Sequence, residues 1–343
     1  MTNCRKLALF GLIAATFALT GPAAAQEIKL TFADQGSPAG WGPSHALKPW
    51  MQQVEQATKG RVTFEYFPSQ ALLKGADMWR GVREGVADVA WCVQGYWPGQ
   101  TPLSEVMSLP FLPITTAEQG SEVYWKLYEK FPSMQKEFGE IIPLVLHTSS
   151  ANMIMTKKPV KTLEDLRGLK LRILNGPPAE MLKALGAEPM NVPMPEVRQA
   201  IDSGVVDGTA GPWEAVHGYR LYESAKYFLE APFYGSGFSV CANRKKFESL
   251  PADVRDQIMS VGGLAGARFW GKNFFDTAEQ GALERAQAGN FAIERYKVPA
   301  EEVARWRKIA GEPLWDAWAK KAEASGQTDA RTILNTALDL LKN

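Results

Sequence analysis

Histidine and cysteine are scarce in this chain, with 3 of each among 343 residues. Cys92 and Cys241 have no Cys or His neighbour at metal-ligand spacing, so the sequence writes no zinc site. His45, His147 and His217 stand alone, as solvated or structural histidines usually do. Charge excess is lacking as well. The formal net charge is +1, which removes the electrostatic case for nucleic acid or an anionic membrane surface. There is no Gly-x-Ser-x-Gly elbow, phosphate loop, dinucleotide glycine fingerprint or His-Glu-x-x-His, and no low-complexity tract or short repeat. The adjacent Glu301 and Glu302 follow Pro299 at a helix start, where the helix dipole already accounts for them. Catalytic, metal and cofactor signatures are thus missing, and a small-molecule partner is favoured.

Long apolar runs are missing too, with one exception. Arg5 and Lys6 precede an apolar run from Leu7 to Thr20, and Ala23-Ala24-Ala25 then Gln26 fit a small-residue cleavage site. This reads as a signal peptide over residues 1–25. The run is shorter than the ~20 residues of a membrane span. Cys4 lies ahead of it and so cannot be a lipidated cysteine following it. The mature chain is expected to be soluble, exported and monomeric, which in a bacterium means the periplasm. About 318 residues would remain, too many for one core, so two lobes are expected. Cys92 and Cys241, each in a strand-like apolar stretch, are expected as buried, unpaired thiols.

Read in order, the chain alternates strands and helices. Strands are predicted at 30–33, 61–67 and 88–93, with helices at 44–58 and 78–86 between them. Connections this long argue for a mostly parallel sheet covered by helices. The loop 94–102, with Tyr96 and Trp97, follows a strand's carboxyl end, where such sheets hold ligands. Strand-like segments at 141–147 and 153–155 lead to a second round: strand 169–174, helix 178–185, strand 189–192 and helix 195–202. A strand at 238–242, one long helical pattern from Pro251 to Ala288, a short strand at 292–296 and a helical end complete the chain.

Arg172 has two readings. It is either the wet face of a strand whose dry face is Leu169, Leu171 and Ile173, or a guanidinium that grips a carboxylate through paired charged hydrogen bonds. Pattern alone does not choose between them.

A resemblance does. Lys158-Pro159-Val160, the run Leu163-Glu164-Asp165-Leu166-Arg167-Gly168-Leu169-Lys170-Leu171-Arg172, Leu185-Gly186-Ala187, Met194-Pro195-Glu196-Val197 and Ser203-Gly204-Val205-Val206-Asp207-Gly208 resemble successive signatures of the DctP-type solute-binding proteins of TRAP transporters. Earlier pieces agree: Thr58-Lys59-Gly60-Arg61-Val62, Phe67-Pro68-Ser69-Gln70, Gly85-Val86-Ala87-Asp88 and Leu109-Pro110-Phe111-Leu112. The resemblance spans nearly the whole mature chain. It implies two α/β lobes, mostly parallel sheets flanked by helices and a long helix spanning both lobes. The cleft would close on an organic acid, which is then delivered to TRAP-type membrane permease subunits. On this basis lobe I comprises 26–149 and 237–277, lobe II 150–236 and 278–335, and 336–343 form a tail.

By the same resemblance Arg172 falls on the carboxylate-binding arginine. Two departures bear on the cargo: Asn152 stands where many relatives carry a second arginine, and Gly211-Pro212 then Trp213-Glu214 replace an Asn-Pro. Without a second anchor, one acid group fits better. Trp41, Tyr96, Trp97, Trp213, Phe233 and Tyr234 point to an aromatic or apolar monocarboxylate, although each is open to a packing role. Gln94 and Glu214 are candidates for a polar tip or an amino group, and Gln35 is a further donor. The site set is therefore Arg172, Asn152, Trp213, Glu214, Gln94, Tyr96, Gln35 and Phe233. Competing readings are a receptor for an ATP-driven importer and a secreted enzyme on a two-lobe fold.

Overall fold

A computed structural model describes residues 27–342; the expected signal peptide lies outside the described residues. In chain order the strands are β1 (Ile28–Ala33), β2 (Val62–Phe67), β3 (Val89–Val93), β4 (Ile141–Thr148), β5 (Met153–Thr156), β6 (Lys170–Arg172), β7 (Glu188–Met190), β8 (Gly208–Gly211), β9 (Tyr227–Glu230), β10 (Gly237–Asn243) and β11 (Glu294–Lys297). The first sheet has the order β2-β1-β3-β10-β4 and the second β11-β9-β5-β8-β6-β7. Both sheets are mixed, yet in each a single strand is reversed. β10 is antiparallel to β3 and β4, and β5 is antiparallel to β8 and β9.

The reversed strands are those the chain enters on crossing between lobes. It leaves β4 for β5 and returns from β9 into β10, and the two crossing segments lie side by side. Ser149 N–H donates to Ser236 O at 3.0 Å and Asn152 N–H to Tyr234 O at 2.9 Å. This paired ribbon is the natural hinge, because its bonds link one crossing strand to the other rather than lobe to lobe.

A third crossing is helical, and here the sequence expectation needs correcting. The predicted single helix from Pro251 to Ala288 is broken into Ala252–Val261, Gly263–Trp270, a π-helical turn Gly271–Asp276 and Ala278–Ala288. The break falls where Gly263 takes φ +56° and where a Cβ on Gly262 would come within 2.6 Å of the Leu144 carbonyl. Only glycine accepts both conditions. Beyond the break the helix does span both lobes, with Ala267 and Trp270 in the first core and Ala278, Ala282 and Ala286 in the second.

Each sheet is covered on both faces. Phe32, Trp50, Trp91 and Phe274 pack on one side of the first sheet, with Trp79, Tyr124 and Phe138 on the other. β3 and β10 are buried along their whole length, as central strands with two dry faces must be. Two expectations fail here. Trp315, Trp318, Ile333, Leu334 and Leu341 join the first lobe's core, so the chain up to 335 does not stay with the second lobe, and helix Ala330–Leu340 occupies most of the expected tail. Periodicity tells which residues are buried but not against which sheet. Cys92 and Cys241 are not free thiols. They form a buried disulfide between neighbouring antiparallel strands β3 and β10, a pairing hidden by the 149 residues separating them.

Candidate functional site

The carboxyl ends of parallel strands from both sheets converge on one cavity between the lobes. β1 delivers Asp34, Gln35 and Gly36, and β3 the turn holding Tyr96; from the second sheet β6 delivers Arg172 and β8 Gly211, Pro212 and Glu214. The hinge ribbon contributes Asn152, Tyr234 and Ser236. About 540 Å³ of atom-free space, open solvent included, lies within this lining.

The lobes are shut over it. Met194 N–H donates to the Tyr96 hydroxyl at 3.1 Å, and Trp41 meets His217 edge-on with ring centroids 5.6 Å apart. Gly95 lies so close to Leu174 that a Cβ there would sit 2.8 Å from the leucine Cβ.

Arg172 is 2% exposed, and its side chain donates from Nε to the Val192 carbonyl at 2.8 Å. Its terminal nitrogens make no hydrogen bond or ion pair with any described residue, so a buried guanidinium presents an uncommitted fork to the cavity. Leaving such a charge unpaired is costly, and a bidentate anion relieves the cost. Asn152 Nδ2 donates to Ser236 Oγ at 3.0 Å while its Oδ1 is buried without a partner.

Aromatic side chains make the walls. Trp91 stacks on Phe238 and Phe274 with ring centroids 5.1 and 5.0 Å apart, and Phe275, Tyr96, Tyr219 and Tyr234 complete the lining. Behind this layer Trp91 Nε1–H donates to His147 Nε2 at 3.0 Å. Burial holds that imidazole down at about 3, so it stays neutral and structural.

Two carboxyl groups enter the same space. Asp34 is buried; it receives Gly36 N–H on Oδ1 at 2.9 Å and the Tyr66 hydroxyl on Oδ2 at 2.7 Å. Burial raises its pKa against these hydrogen bonds. Glu214, 7% exposed, is pushed up to about 8, first by burial and then by the Asp34 charge, with the Gly42 amide opposing.

Of the eight residues expected at the site, Arg172, Asn152, Glu214, Tyr96 and Gln35 line the cavity. Three do not. Trp213 turns into the second lobe's core, stacked on Phe228 at 5.3 Å with the Arg295 guanidinium 5.1 Å from its ring. Phe233 is fully buried between Phe111 and Trp306. Gln94 points under β10, where its Oε1 accepts the Tyr124 hydroxyl at 2.7 Å. Adjacent side chains leave the backbone in different directions, so Tyr234 and Glu214 reach the cavity where Phe233 and Trp213 do not. Sequence reading missed Asp34, Trp91, Tyr219, Phe238, Phe274 and Phe275. Asp34 alone carried a signal, being the charged residue directly after a predicted parallel strand.

Residues 40–321 match the family described as bacterial extracellular solute-binding protein, family 7, DctP. The chain belongs to that family of TRAP solute receptors, which bind small organic ligands and deliver them to a membrane transporter. Among solved structures it is similar to a TRAP solute binding protein from Rhodoferax ferrireducens in complex with copurified benzoate, with 29% identity, a TM-score of 0.86 and coverage of 92% of this chain and 98% of that one. A Bordetella bronchiseptica TRAP periplasmic solute binding protein with bound (R)- and (S)-mandelate is similar at 28% identity, TM-score 0.84 and coverage of 92% and 99%. A curated relative, the C4-dicarboxylate-binding periplasmic protein DctP of Rhodobacter capsulatus, is 26% identical over 327 residues, 92% of this chain and 94% of its own. The family is one of transport receptors, not of enzymes.

Proposed function

We propose that this protein is a monomeric periplasmic receptor for an aromatic monocarboxylate, which it carries to TRAP-type permease subunits. The observation that carries the reading is the buried Arg172 fork, uncommitted within the protein and surrounded by aromatic rings. The carboxylate would seat on the guanidinium and the ring between Trp91, Phe274 and Tyr96. Asn152 and Gly211, with no cation other than Arg172 in the lining, argue against a second acid group. Asp34 and Glu214 argue the same way, since a second carboxylate would meet carboxyl groups. Benzoate and mandelate in the Rhodoferax and Bordetella proteins support this choice over the dicarboxylate of the Rhodobacter relative. Closing on the ligand expels water from both charge and rings, which strengthens the pairing.

A thermal-shift screen of organic acids tests the reading. A ligand at about 100 times its dissociation constant should stabilise the protein by ~2.7 kcal/mol. Benzoate-like acids are expected to raise the melting temperature and succinate or malate to leave it unmoved. A shift given by dicarboxylates alone would refute the assignment.

A further inference from the structure

The cavity holds more acid than a receptor for a simple acid requires. Against the single Arg172 cation stand Asp34 from the first lobe and Glu214 from the second, both buried. Gln35 adds an amide oxygen, also buried, with no hydrogen-bond partner. No ion pair joins either carboxyl to Arg172 or to any other base among the described residues. Two buried carboxyls from opposite lobes thus share one lining with a single cation, which the ligand's own carboxylate would engage. A ligand that is only an acid brings no further donor to this region, where two carboxyls are held out of water, and burying such groups is costly unless they are well hydrogen-bonded.

We propose that the cargo carries, besides its carboxylate, a hydroxyl or amino group that donates hydrogen bonds to Asp34 and Glu214. This rests on the proposed carboxylate reading and narrows it to donor-bearing aromatic acids. The two carboxyls come from different lobes, and that gives the donor a second role. Closure brings Asp34 and Glu214 into one lining, and the charge of one makes ionisation of the other harder. A ligand hydroxyl or amino group placed between them hydrogen-bonds to a carboxyl of each lobe and so ties the first lobe to the second. Tyr219 borders the same space, its hydroxyl pKa pushed up by burial first and then by Glu214, Tyr96 and Asp34, with Arg172 opposing. The donor therefore selects the ligand at the step of closure, whereas Arg172 acts on any carboxylate.

The test is titration calorimetry at neutral pH on the mature protein, freed of bound acids by unfolding and refolding. The probes are benzoate, the three hydroxybenzoates, the three aminobenzoates and the matching methoxybenzoates, which keep the substituent oxygen but lose its hydrogen. At least one hydroxy or amino isomer should bind tenfold or more tighter than benzoate, with its methoxy counterpart no better than benzoate. Heats measured in two buffers of different ionisation enthalpy separate the sources: a protonated amine draws protons out of the carboxyl pair, and a hydroxyl does not. In Glu214→Leu the preference for the donor should shrink to threefold or less, whatever the absolute affinity, and Glu214→Gln, which keeps an acceptor oxygen, should recover part of it. Circular dichroism checks the fold of both variants. Benzoate or methoxybenzoate matching every donor isomer in the wild type overturns the inference while leaving the carboxylate reading intact, and so does a donor preference that survives Glu214→Leu. If no member of the series binds, the parent reading fails and this one falls with it.

Discussion

Two arginines, one outside and one inside, treat their charge in opposite ways. Arg268, on the helix that crosses between the lobes, holds both oxygens of Glu122 at 2.8 and 2.7 Å in view of solvent. Hydrogen bonds from Arg268, and then from Lys126, pull Glu122 down to about 2. Arg172 has lost its water but has no carboxylate to replace it. The outer charge is satisfied where solvent makes satisfaction worth little, and the inner one is left open where a partner counts most. Binding energy is in this sense stored as an electrostatic deficit in the cleft.

The largest expected effect follows directly. Arg172→Ala should weaken binding of any ligand found in the thermal screen by at least ~30-fold, since removing one partner of a buried charged pair costs about 2–5 kcal/mol. The ligand-free variant should melt no lower than the wild type, because the deleted group was an unpaired buried cation. Calorimetry and a melting curve on one preparation decide the matter. Affinity kept within threefold, or a collapse of the apo fold, would erase the contrast between the two arginines.

Glu214 allows a second, smaller test, read through pH. In the shut cavity it faces Asp34, the Tyr219 hydroxyl and the Gly42 amide; burial first and then the Asp34 charge push it up to about 8 from its ordinary 4.5, with the Gly42 amide opposing. Between those values the folded protein keeps a proton that the unfolded chain releases. Stability therefore falls as pH rises from about 4.5 to about 8, with the contribution fully present below that window and lost above it. Glu214→Gln should flatten this fall, matching the wild type near pH 4.5 and exceeding it at pH 8–9 in urea unfolding. Parallel curves for the two proteins across the window would mean that the glutamate is solvated, with the lobes standing open in the absence of ligand.

Much of this was legible in the chain. The run through Leu169, Leu171 and Ile173 marked a strand, and the resemblance singled out Arg172 at its end. β8 was not visible: Gly208-Thr209-Ala210-Gly211 offers no apolar alternation, yet it sits between β5 and β6 because a backbone without bulk is needed there. A Cβ on Gly208 would come within 2.2 Å of the Met155 carbonyl. The aromatic wall was only half legible. Trp91, Phe238, Phe274 and Phe275 read as core, and they are core on one side; which edge of a core ring faces a cavity depends on the other lobe's position, a long-range fact that no local pattern encodes. The same limit hid the Cys92–Cys241 bond and the attachment of the last helices to the first sheet.

The smallest effect belongs to the outer arginine. Arg268→Ala breaks a two-pronged bond between the helix Ala117–Lys130 and the crossing helix, so a reader counting hydrogen bonds would expect a large loss. The physical expectation is different. Arg268's side chain is 47% exposed, and Lys126 remains beside Glu122 at 2.6 Å to take up the released charge. A solvent-facing pair of this kind contributes about 1 kcal/mol or less, which for a protein of this size is a fall of a few degrees in melting temperature. Added salt should shrink the difference between variant and wild type, because exposed charges are screened over a Debye length of about 10 Å at 0.1 M. Ligand affinity should stay within threefold. A loss above 2 kcal/mol that half-molar salt leaves untouched would place real energy in the outer pair, and the claim that this protein reserves its strong electrostatics for the cleft would not stand.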